Sequence, residues 1–119
     1  MRKSYLFCTL LIIGGCATFV EKKHPYEGYF TYGHEVSAFR ACNENTVFWL
    51  NGEQDGMRVI QKESLKAMNK KQEPYQSVYV QFIGRPDSRN PIGFEDSYDG
   101  LLYLIKLIDY SDQFPKECF

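Results

Sequence analysis

Residues 26–42 read YEGYFTYGHEVSAFRAC, and the fold turns on how they are read. Tyr, Phe, Thr and Val recur at short spacing, and these are residue types that suit a pleated, half-buried surface. The stretch predicts one long strand, or two collinear ones, with Gly28 and Gly33 as bulge or bend points. In its second half a period of two puts Val36, Ala38, Arg40 and Cys42 on one face and Ser37, Phe39 and Ala41 on the other. Asn43-Glu44-Asn45 then reads as a turn, because Asn tolerates the left-handed conformation. TVFWLNG at 46–52 follows as a second strand, and the short link predicts a β-hairpin.

Further along, NGEQDG at 51–56 reads as a loop, and from Met57 the period lengthens. Met57, Ile60, Ala67 and Met68 fall near one helical stripe with Ser64 between them, while Arg58, Lys62, Glu63, Lys66 and Lys70 lie mainly elsewhere. This predicts one amphipathic helix of about three or four turns. It stops by Pro74, which disfavours the helical conformation at Glu73. YQSVYVQFIGR at 75–85 is a strand, with Val78, Val80 and Phe82 on one face and Tyr79, Gln81 and Ile83 on the other. PDSRNPIGFEDSYDG at 86–100 is a long loop closing on Asp99-Gly100, a strong turn signal. LLYLIKLIDY at 101–110 is apolar on both faces apart from Lys106, as a central barrel strand requires. The expected fold class is therefore mostly β: a small OB-like barrel of about five strands with one α-helix.

Composition supports this reading. Nine Tyr and nine Phe supply the large side chains that a small domain needs in its core. The formal charge is −1 and no stretch is strongly basic, which argues against nucleic acid as a partner.

The chain opens MRKSYLFCTLLIIGGCATF. A basic start at Arg2 and Lys3, a short apolar run and then small residues form the pattern of a secretory signal peptide. The run is shorter than the ~20 apolar residues that span a bilayer as a helix. Ile13-Gly14-Gly15-Cys16 resembles the bacterial lipobox, an aliphatic residue and two small ones before an obligatory Cys. The resemblance implies a lipoprotein signal peptide at 1–15, lipidation of Cys16, a lipidated tether at 16–25 and the barrel domain at 26–119. The other reading is an ordinary signal peptide cut elsewhere. A single acyl chain binds membranes marginally, whereas the several chains of a mature lipoprotein anchor it stably. Ala17, where Asp would mark retention in the inner membrane, resembles the pattern of outer-membrane delivery. The expected location is thus the bacterial cell envelope, with the domain facing the periplasm.

Four cysteines remain to be placed. Cys8 leaves with the signal peptide and Cys16 takes the lipid. Cys42 and Cys118 are left in an oxidising compartment, where two thiols are expected to pair. The alternatives are two free thiols or a strained, reducible bridge.

Taken together, GYFTYGHEVSAFRAC, ESLKAM, SVYVQFIG and the late Cys of KECF resemble the C-terminal OB-fold domain of the NlpE family. These are bacterial outer-membrane lipoproteins linked to copper resistance and envelope stress signalling. The resemblance covers most of residues 28–118. It implies a Cys42–Cys118 disulfide and, at most, a role in reporting folding or redox state to the envelope stress system. The family's N-terminal lipocalin-like domain carries a C-x-x-C motif that this sequence lacks, so functions residing there do not transfer.

Other chemistries find less support. His34-Glu35 opens HEVSA, without the second His of an H-E-x-x-H zinc site. On one strand His34 and Cys42 lie about 26 Å apart, too far to share a metal ion or to form a nucleophilic pair. No G-x-S-x-G elbow is present. Glu95, Asp96 and Asp99 cluster in the long loop, where solvated turn chemistry is the commoner reading. No cofactor, no metal site and no catalysis are expected. The leading function is a non-catalytic binding or folding-reporting envelope module, with an envelope protein as possible partner and the 86–98 loop as a candidate functional element. An inhibitor of a secreted hydrolase such as lysozyme, or a structural lipoprotein without a specific ligand, are the alternatives.

Overall fold

The computed structural model describes residues 22–118. The signal-peptide and lipidation readings, Cys16 included, lie outside them. Five strands form a closed barrel in the order β1-β2-β3-β5-β4, with β4 returning to β1. They are β1 (His24–Gly33), β2 (Val36–Ala41), β3 (Phe48–Gly52), β4 (Ser77–Pro86) and β5 (Leu101–Ser111). One helix, α1 (Gln54–Lys71), joins β3 to β4. All neighbouring pairs are antiparallel except β3 with β5. This is the OB-like barrel expected from the sequence.

The opening stretch departs from its reading. Residues 26–42 form neither one strand nor two collinear ones. The chain reverses at His34 and Glu35, and β1 pairs antiparallel with β2 from Gly33↔Val36 to Gly28↔Ala41. The turn holds Glu35 at φ 60°, a conformation usually left to Gly, Asn or Asp. No Asn-Gly signal marks it, so alternation alone ran straight through the reversal. Gly28 is no bulge either. It sits in a regular ladder between Ala41 and Val80, where a Cβ would lie 2.1 Å from the Arg40 carbonyl oxygen. Glycine is needed there for close backbone approach, not for a bend. β1 also begins at His24, two residues inside the stretch read as tether.

The core follows the period of two. Phe30, Phe39, Leu50, Val78, Val80, Phe82, Leu102 and Leu104 fill the barrel, and Met57 and Ile60 cap it from the helix. Phe39 meets Phe82 edge-on at 5.0 Å, and Tyr26 stacks on Phe82 at 5.3 Å. One buried hydroxyl joins the layers. Ser64 Oγ donates to the Gln76 carbonyl (2.6 Å) and accepts from the Tyr32 amide (3.0 Å), which ties α1 to β1 and to the approach to β4.

Two further expectations change. The helix begins at Gln54, so part of the NGEQDG stretch is helical. Its start is set by tertiary pairing, because the Glu53 amide bonds to the Leu104 carbonyl (2.8 Å) while its own carbonyl accepts the Met57 amide (3.0 Å). β5 is not buried on both faces along its length, since Ile108 is 54% exposed and Tyr110 43%. The β3 pairing ends at Gly52↔Leu104, and beyond it β5 has only β4 as a neighbour. The β4–β5 register also shifts at Gln81/Phe82, so that Ile108 falls between the Leu107 and Asp109 pairings and is left without a partner.

Candidate functional site

The loop from β4 to β5 is the most elaborated surface feature. Its path starts at Asp87, whose amide bonds to the Leu101 carbonyl (2.9 Å), and ends at Asp99. Asp99 takes the Val47 amide on its carboxylate (2.7 Å) and gives its own amide to the Val47 carbonyl (2.9 Å). Both ends are thus stitched to the barrel. Between them Arg89 clasps Glu95 with two parallel bonds of 2.7 and 2.8 Å, and its Nε reaches Asp87 at 3.3 Å. This fork geometry is the stronger, directional form of a charged hydrogen bond. Glu95 Oε1 also accepts the Ile92 amide (2.9 Å) at the start of a 3₁₀ turn, Gly93–Ser97. The Arg89 guanidinium, with help from the Ile92 amide and the Asn51 side chain, holds the Glu95 carboxyl down at about 2 against the opposing effect of burial.

The loop folds back over the outer face of β2 and β3. Tyr98 meets Trp49 edge-on at 5.2 Å and is hydrogen-bonded to the Ser37 backbone, and Trp49 Nε1 donates to Asn51 (3.2 Å). The face of strands 2 and 3 is where OB-folds commonly receive oligonucleotides and oligosaccharides. Here the protein's own loop lies across it. The same packing turns two large apolar side chains outward, Ile92 at 72% and Phe94 at 56% exposure.

A second structured feature is the C-terminal tail. Cys42 and Cys118 are bonded, with Cα atoms 4.5 Å apart, and Cys118 is buried. Phe114 packs on Tyr29 at 4.9 Å between ring centres, and the Arg40 guanidinium lies 4.4 Å from the centre of the same ring. The Tyr29 hydroxyl donates to the Cys118 carbonyl, and Asn43 Nδ2 donates to the Glu117 carbonyl (2.9 Å). The tail therefore closes over the outer face of the β1–β2 pair through a covalent bond and a small aromatic and polar cluster.

The remaining residues singled out from the sequence are dispersed. His34 and Glu35 occupy the exposed hairpin tip, 3.4 Å apart, and Cys42 follows the opposite end of β2. Among the described residues no three His, Cys, Asp or Glu side chains gather as metal ligands. The acidic cluster divides by role: Glu95 braces the loop interior, Asp99 pins its end, and Asp96 faces solvent. Sequence reading missed Arg89, Ile92 and Phe94. The available signals were an Arg and a Glu six apart on either side of Pro91 and two large apolar residues in an otherwise polar loop.

Comparison with protein-family models, with curated proteins and with solved structures finds no match for the chain.

Proposed function

We propose that this protein is a lipid-anchored, non-catalytic binding module of the bacterial cell envelope, with Cys16 as the anchor and the 87–99 loop as the recognition element. The anchor reading rests on the sequence Ile13-Gly14-Gly15-Cys16 after a basic and apolar leader. The Cys42–Cys118 bridge suits an oxidising compartment and agrees with the NlpE-like pattern. In the setting that this resemblance suggests, the outer membrane facing the periplasm, the partner is another envelope protein. A role in reporting folding to the envelope stress system belongs to the same reading.

One observation carries the recognition element: a loop braced by Arg89, Glu95 and Asp99 that displays Ile92 and Phe94 to solvent. Apolar side chains held out on a preorganised loop lose little entropy on docking, and large apolar anchors set in pockets dominate protein interfaces.

A photocrosslinking amino acid placed at Phe94 in intact cells tests this. The expected result is one dominant adduct with an envelope protein, its yield reduced when the Arg89→Gln substitution removes the clasp on Glu95. The same label at Arg58, on the exposed face of α1, serves as control. Equal, diffuse adducts from both positions would remove the loop from the proposal. Replacing Cys16 by Ser tests the anchor, since lipid labelling of that variant equal to wild type would end the lipoprotein reading.

A further inference from the structure

A shallow concavity lies across the outer side of β1, β4 and β5, lined by Pro25, Glu27, Gln81, Ile83 and Ile108, with the strand segments at Tyr26 and Phe82, whose rings face the core, passing beneath it. Pro25 and Ile83 are cross-strand partners, and Ile83 in turn pairs with Lys106. Ile108 stands out from the register shift beside them, more than half exposed. Scattered surface apolar residues need no explanation. This group is different in being contiguous across three strands and in lying where the chain enters the fold, since β1 begins at His24. Lys22 and Lys23 are exposed at that entry, and Lys106 is exposed on the far side of Ile83. Of the acids nearby, Glu27 accepts the Tyr79 hydroxyl and Asp109 takes the Tyr110 amide on its own carboxylate.

The occupant follows from chain length, and the inference rests on the anchor reading above. From Cys16 to His24 is eight residue steps. Fully extended they reach about 28 Å, and as a flexible coil only about 16 Å. A lipid at Cys16 therefore keeps the entry point of β1 close to the headgroup layer, and the face around that entry is the first part of the barrel to meet it.

We propose that this face rests on the bilayer that holds the anchor, with Pro25, Ile83 and Ile108 in the interfacial layer and Lys22, Lys23 and Lys106 on anionic phospholipid headgroups. Apolar side chains at the interface and basic side chains near anionic headgroups act together in peripheral membrane binding. Docking in this way fixes the orientation of the barrel, which a tether alone leaves free. The recognition loop, folded toward β3, then points away from the β1–β4 contact.

The test is hydroxyl-radical footprinting of the full-length lipoprotein in vesicles of phosphatidylethanolamine and phosphatidylglycerol, with the unlipidated Cys16→Ser chain in solution as reference. The expected result is a several-fold fall in Ile108 and Ile83 oxidation relative to Ile92 and Phe94, weakened when phosphatidylglycerol is omitted. Wild-type protein that floats with the vesicles yet keeps the reference ratio would overturn the docked face and leave the anchor standing. Wild-type protein that does not float and has an unmodified Cys16 would overturn both. A variant combining Ile108→Asp and Lys106→Glu changes exposed positions only. It is expected to float and to regain Ile83 oxidation, and continued protection of Ile83 in it would also refute the proposal.

Discussion

Removing the Cys42–Cys118 bridge is the sharpest test of how this small barrel is held together. The two cysteines are 76 residues apart, so the bond closes most of the described chain into one loop. In the chain-entropy account, a cross-link over that length restricts the unfolded ensemble by ~4.5 kcal/mol at 25 °C. A domain of this size has a total stability of about 5–15 kcal/mol, so the loss would be a large share of it. The tail would then depend on Phe114 against Tyr29 and on the bonds from Tyr29 and Asn43 to the Cys118 and Glu117 carbonyls. Those contacts sit in a partly exposed cluster and do not replace a covalent closure. The measurement is urea unfolding of the oxidised protein beside the Cys42→Ala, Cys118→Ala double variant. With a slope near 1.5 kcal/mol/M, the midpoint falls by about 3 M. A loss below about 1 kcal/mol would refute the loop-closure reasoning.

Further outcomes concern the buried hydroxyl and the braced loop. Ser64→Ala leaves the Tyr32 amide and the Gln76 carbonyl without their partner and is expected to cost about 1–3 kcal/mol for each group left unpaired. A change within a few tenths in thermal or urea unfolding would mean that solvent replaces the hydroxyl. Glu95 has its carboxyl lowered from 4.5 to about 2 in the folded protein, so its contribution to stability is complete above pH 4.5 and is lost as the pH falls from there toward 2. Amide exchange across 87–99 should accelerate in that window while β1 and β4 stay protected, and Glu95→Gln should abolish the pH response. A Glu95 carboxyl resonance titrating near 4.5 would contradict the clasp. Arg89→Gln should loosen the same loop at neutral pH with little change in global stability, and a cooperative loss of the whole fold would show that the loop is part of the core.

Much of the architecture was legible from local pattern. Alternation in 77–83 put Val78, Val80 and Phe82 on one face because a strand's two faces separate by parity, and the structure makes that face the core. The helix was legible from its stripe, and only its start was displaced, because the bond between Glu53 and Leu104 that seeds it joins residues distant in sequence. The candidate site was far less legible. Arg89, Ile92 and Phe94 sit in a stretch without periodicity, and their arrangement follows from pairings of the loop with Val47, Asn51 and Ser37 across the barrel.

The sequence by itself determined the element types, the division of strand residues into two faces, the helix at 57–71 and, among the described residues, the two cysteines Cys42 and Cys118. Each of these depends on neighbours within a few residues, where period and composition carry the information. The tertiary structure decided the reversal at His34 and Glu35, the close approach at Gly28, the closure of β4 onto β1 and the exposure of Ile108. Those outcomes depend on which strands lie side by side. GHEVSAFRAC carries alternating residues whether it continues a strand or turns into the next one, and only the pairing of β1 with β2 and β4 selects between the two.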